Sequence, residues 1–166
     1  IKKCKELMQF MDFAPYDFIR HASPKDLGRF QHFKHRTFNG YDCCYFMESL
    51  ANIYRNQGGL ETVFTTAWQQ HQDMFEVLRS WYKAFTALPA ETRVLRHIAC
   101  VDKGSACKRI NMFLRWMVRK DHSGIDFGLW KGIPSSALLI PLDLHTGNVS
   151  RQLGLLSRHQ NDARAV

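Results

Sequence analysis

Apolar residues recur at intervals of three and four along most of the 166-residue chain, the spacing that gathers one face of an α-helix. Ser23-Pro24 supplies a capping residue followed by a first-turn proline. Asp42 is a candidate cap for a helix in which Tyr45, Phe46, Ser49, Leu50, Ile53 and Tyr54 share a face. Further helices are expected at about 60–70, 72–87 and 90–98, on Val63, Phe64 and Ala67, then Phe75, Leu78, Tyr82 and Phe85, then Val94, Leu95 and Ile98. No segment alternates with period two for long, so the expected fold class is all-α. Nothing repeats internally and no Ser/Gly/Pro-rich linker interrupts the chain, which predicts one domain over 1–166.

Two stretches break the run of core helices. The first, Val101-Asp102-Lys103-Gly104-Ser105-Ala106-Cys107-Lys108, reads as a polar turn inside a helix–hairpin–helix element over 95–120. In its second helix Ile110, Phe113, Leu114 and Met117 face the core, and Lys108, Asn111, Arg115 and Arg119 form an opposite cationic stripe. Free N–H groups in the first turn of such a helix suit a phosphate oxygen, although a plain helical hairpin with a solvated basic face fits the same pattern. The second stretch, 126–156, carries an apolar run through Pro141 to Asp143, which is expected to cap a helix bearing Val149, Leu153 and Leu156.

The charge sharpens this picture. Lys and Arg total 23 against 15 Asp and Glu, a formal +8. Residues 1–83 hold 11 basic and 9 acidic side chains, a net +2, and residues 84–166 hold 12 and 6, a net +6. A polyanionic partner is therefore expected at the second half. The five cysteines, Cys4, Cys43, Cys44, Cys100 and Cys107, form no C-x-x-C pair and no even disulfide set. With no signal-peptide pattern and no apolar run near a membrane span, the expectation is a cytoplasmic protein with no membrane partner. The sequence starts and stops inside helix-forming patterns, so both ends read as truncated.

Together, Gly104…Lys108 and Pro141-Leu142-Asp143-Leu144-His145 resemble the signature of the helix–hairpin–helix DNA glycosylase superfamily. Lys108 matches the Schiff-base lysine of its bifunctional members, and Asp143 with Val149 to Leu155 matches its aspartate helix. The nearest pattern within the superfamily is that of archaeal 8-oxoguanine glycosylases, which share a long interval between lysine and aspartate. The segments Phe33 to Gly40, Gly104 to Arg119 and Asp126 to Leu156 also resemble a bacterial family of unknown function, over nearly the whole chain. The hairpin lacks the second glycine usual in the superfamily, and no cysteine follows Asp143 to build an iron–sulfur cluster.

The resemblance implies cleavage of the N-glycosidic bond of a damaged base, an oxidised purine first among candidates, in duplex DNA. Lys108 would be the nucleophile, its amine freed of a proton with help from the positive helix end and from Arg109. Asp143 would be the carboxylate that stabilises an oxocarbenium-like sugar or accepts the nucleophile's proton. Gly104, Ser105, Arg109, Arg115, Arg151 and His145 are the expected DNA contacts. Arg119 and Lys120 are less specific candidates. No cofactor or metal is required, and His32, His35, Cys43 and Cys44 lack a usual zinc spacing. A non-catalytic nucleic-acid-binding module using the same hairpin, and an interaction scaffold with an incidental basic face, are the competing readings.

Overall fold

The structure, a computed structural model, describes residues 2–166. It is mostly helical, with nine α-helices among the described residues: α1 (Lys2–Phe10), α2 (Pro15–His21), α3 (Pro24–Leu27), α4 (Gly40–Asn56), α5 (Leu60–His71), α6 (Met74–Phe85), α7 (Thr92–Leu95), α8 (Lys108–Val118) and α9 (Leu144–Gln152). Between α3 and α4 a two-stranded hairpin pairs β1 (Lys34–His35) with β2 (Phe38–Asn39), antiparallel, with Lys34 opposite Asn39.

Contacts gather into two compact units whose boundaries fall inside α5 and α6. The first comprises the chain up to Val63 together with Lys83–Ile98. Its core is Met11, Ile19, Phe30, Phe33, Cys43 and Met47, and α2 packs on α4. Phe30 is fully buried and meets Phe10 and Phe18 edge-on, a geometry that aligns ring edges with ring faces. Burial of each large apolar side chain of this kind contributes roughly 1.5–3 kcal/mol. α4 begins where the chain runs against its own backbone. A Cβ on Gly40 would lie 2.0 Å from the Gln31 carbonyl oxygen, so only glycine fits.

The second unit comprises Phe64–Tyr82 and Ala99–Val166. Phe64 sits at its centre, stacked on Trp81 and in ring contact with Phe113 and Trp130. Trp130, in the long loop after α8, is therefore a core residue. Val77, Leu78, Leu114, Ile133 and Leu142 complete the burial.

Several expectations are met and others are corrected. Ser23 caps α3 reciprocally with Asp26, and Asp143 caps α9. Asp42 is not the cap of α4. Asn39 is, with Asp42 three residues on as its partner in a capping box, completely buried. The helix expected over 90–98 is one turn, Thr92–Leu95. Glu91 gives it no side-chain cap. The first arm of the expected hairpin is thus short, and a 3-10 turn, Val101–Lys103, leads into the loop before α8. Val149 on α9 and Leu153 just after it face solvent rather than a core.

Candidate functional site

Asp143 is placed from both sides in sequence. Pro141 keeps the preceding chain out of the helical region, and Leu142 anchors it in the core. Asp143 itself is extended, with φ −123° and ψ −173°, so its carboxylate folds back over the first turn of α9. Oδ1 accepts a hydrogen bond from the Thr146 N–H at 2.8 Å. Behind it, the Asn161 side-chain amide donates to the Asp143 carbonyl at 3.0 Å, and Asn161 Oδ1 accepts from Arg151 at 2.6 Å. Arg151 also donates to the carbonyls of Arg158 and His159, both at 2.7 Å. Gly147 makes this close approach possible, since a Cβ there would lie 2.4 Å from Asn161 Oδ1.

Lys108 is the first residue of α8. The loop before it turns through two left-handed residues, Gly104 at φ +81° and Cys107 at φ +47°. Glycine takes that conformation freely, whereas buried Cys107 is held in it. Ser105 Oγ accepts from the Cys107 N–H at 3.1 Å, and Asn111 donates to the Ala106 carbonyl at 3.0 Å. The Gly104 carbonyl accepts from the Ala163 N–H at 3.0 Å, so the segment around Asp162 lies along the loop. The loop that aims Lys108 is thereby fixed by three hydrogen bonds.

The two side chains, 143 − 108 = 35 residues apart in sequence, meet at 3.0 Å, Lys108 Nζ to Asp143 Oδ2. Their side chains remain 48% and 29% exposed, so the pair is open to a ligand. The Thr146 N–H, first, and the Lys108 ammonium, second, hold the Asp143 carboxyl well below the usual carboxylate range. A carboxylate so held is an ionised group with one oxygen on a helix N-terminus and the other on an amine.

The other expected residues divide. Arg109 and His145 are exposed on the first turns of α8 and α9, and Gly104 is exposed at the loop. Ser105 Oγ also holds the loop by accepting from the Cys107 N–H. Arg151 has a structural task, its guanidinium committed to the 158–161 segment. Arg115 and Arg119 converge on Asp126 Oδ2, at 3.2 and 3.4 Å. Asp126 is buried, and its other oxygen meets no donor among the described residues. Asn111, expected on the cationic stripe, is buried. The stripe is therefore a set of paired charges rather than a bare basic face. Its acids, Asp126 and Asp143, lie in irregular loop sequence, where no periodicity points to them.

Among the described residues no group of three or more His, Cys, Asp or Glu side chains is arranged to hold a metal. Burial pushes the Cys43 thiol up to about 12, which keeps it protonated and a poor ligand.

A family model described as a protein of unknown function (DUF2400) matches residues 1–166. The chain belongs to this family. Comparison with curated proteins and with solved structures gives no match. Within this DUF2400 chain, Asn161 is the site residue that sequence reasoning missed, and Arg151, expected as a DNA contact, also holds the segment behind Asp143. Asn161 reaches Asp143 from 18 residues on, beyond α9 and the turn that follows it, and only its hydrogen-bonding side chain could have hinted at the role. No helix among the described residues is long and apolar enough to cross a membrane.

Proposed function

We propose that this DUF2400 protein is a DNA glycosylase and abasic-site lyase that acts on a damaged base in duplex DNA, with Lys108 as nucleophile and Asp143 as electrostatic stabiliser. The observation that carries this reading is the 3.0 Å contact between an amine at the start of one helix and a carboxylate at the start of another. A half-exposed ion pair of this kind contributes little to stability. Lysine is moreover placed at the positive end of its own helix, where a cation is disfavoured. Stability alone gives little reason for the arrangement, and amine chemistry gives a good one.

In this reading the base is turned out of the stack before reaction. The N-glycosidic bond breaks, its electron pair leaves with the base, and the ionised Asp143 faces the positive charge that develops at C1′. Lys108 Nζ forms the new bond to C1′. The proton it sheds restores the departing base to its neutral form, so charge and atoms balance. Held ionised by its two donors, Asp143 acts in this reading as a fixed negative charge. Sugar-ring opening gives the Schiff base, and loss of a proton from C2′ with departure of the 3′ phosphate then cuts the strand. Arg109 and His145 are the exposed side chains placed to meet flanking phosphates.

The test is base release and strand cleavage on a duplex with one 8-oxoguanine or one abasic site. Wild type is expected to cleave, and Lys108→Gln to lose strand cleavage. Asp143→Asn keeps a good helix cap yet is expected to lower the rate by about 10²–10³-fold, the loss typical of removing one electrostatic stabiliser. Cleavage that persists in Lys108→Gln at the wild-type rate would contradict the assignment.

A further inference from the structure

The first compact unit contains a cavity of about 680 Å³ beside the β1–β2 hairpin, lined by Lys34, Arg36, Thr37, Arg93, Arg96 and His97 with Asn39. Four of these side chains are permanent cations, and none is apolar. Elsewhere Arg29, Arg79, Arg115, Arg119 and Arg158 each have a carboxylate partner. Here Lys34, Arg36 and Arg96 have none among the described residues. Gathering like charges without counter-ions is unfavourable, and an anion relieves it.

One acid does serve the cavity, from beneath. Asp42 is completely buried, with Oδ2 accepting from the Asn39 N–H at 2.8 Å and lying 3.4 Å from His97 Nε2, and Oδ1 on Arg93. Arg93 also donates to the Thr37 carbonyl at 2.8 Å and to Asn39 Oδ1 at 3.2 Å. Its guanidinium is fixed before any ligand arrives, yet remains 42% exposed. Arg36 sits at the tip of the hairpin with φ +57°, a conformation that L side chains rarely adopt. Its placement there aims a charged side chain from a strained turn.

We propose that this cavity is a phosphate-binding site for a ligand carrying at least two neighbouring phosphate groups. Four cations and an imidazole exceed what one phosphate needs, and a guanidinium held in place offers the paired N–H geometry that phosphate oxygens accept. No aliphatic or aromatic hydrocarbon side chain lines the cavity, and its charged groups are all cationic. The site is independent of the Lys108–Asp143 reading and stands whether or not that chemistry holds.

The probe is inorganic tripolyphosphate, titrated calorimetrically into the whole protein. Arg36→Asn removes the charge while keeping a residue that tolerates positive φ, and Arg96→Gln removes an exposed charge; circular dichroism checks that each remains folded. Wild type binds, each single variant weakens binding by about tenfold, the worth of one charge-assisted contact, and the double variant binds too weakly to measure. Lys25→Gln, an exposed cation outside the cavity, leaves binding unchanged. Absence of wild-type binding, unchanged binding in the double variant, or equal weakening by Lys25→Gln overturns the proposal. Competition then separates the sources: displacement by an undamaged DNA duplex marks backbone phosphates, and displacement by a nucleoside triphosphate but not by duplex marks a small phosphate ester. A site from which neither displaces tripolyphosphate also contradicts the proposal.

Discussion

Each oxygen of Asp143 has its own donor, the Thr146 amide on one and the Lys108 ammonium on the other. Both favour the ionised form, so the folded-state carboxyl titrates below its unfolded value. The linked stability is therefore fully present above the unfolded carboxylate pKa and is lost progressively as pH falls from there through the lower folded value. Carboxyl-carbon NMR is expected to show Asp143 flat from pH 8 down through the ordinary carboxylate range. In Lys108→Gln its midpoint moves up but stays below that range, because the larger cause is the Thr146 hydrogen bond. An ordinary carboxylate midpoint in the wild type would contradict this geometry. At this scale the sequence is informative where a residue acts on its near neighbours: a Pro-x-Asp start announces the cap. It is silent where the partner is distant, as with Asn161 behind Asp143, or Asp42 beneath Arg93.

Helix α8 shows how far a pattern of alternating faces carries. Leu114 and its neighbours do pack inward, as their spacing requires. The opposite face departs from expectation because it is covered in part by the following loop, which brings Asp126 back onto Arg115 and Arg119. A helical wheel cannot show a counter-ion that arrives from irregular chain. Asp126→Asn leaves two guanidinium groups side by side without their acid. Since both arginines reach solvent, the cost is expected to be about 1–3 kcal/mol, below that of breaking a fully buried pair. Thermal unfolding measures it, and an unchanged Tm would show that the clamp contributes nothing. α7 gives the complementary lesson, since its apolar pattern, without a side-chain cap, sustains a single turn.

On the scale of the whole chain, mostly helical architecture follows directly from the three-and-four periodicity, and the short β1–β2 hairpin is below what a period-two search detects. The division into two compact units does not follow, because each unit draws on segments separated in sequence and no linker marks the boundary. For the same reason the charge excess of residues 84–166 is divided between the units: Arg93 and Arg96 join Lys34 and Arg36 in the first, while in the second Lys108 and Arg115 of α8 are paired with acids. The central claim is that one of those paired cations, Lys108, is a nucleophile. Borohydride reduction of the protein incubated with an abasic-site duplex tests it most directly, because reduction converts a Schiff base into a stable covalent adduct. The account predicts an adduct in the wild type, its attachment mapped by peptide mass spectrometry to Lys108, and none in Lys108→Gln. A wild-type protein that binds the duplex without forming an adduct, or an adduct that survives Lys108→Gln, would contradict it.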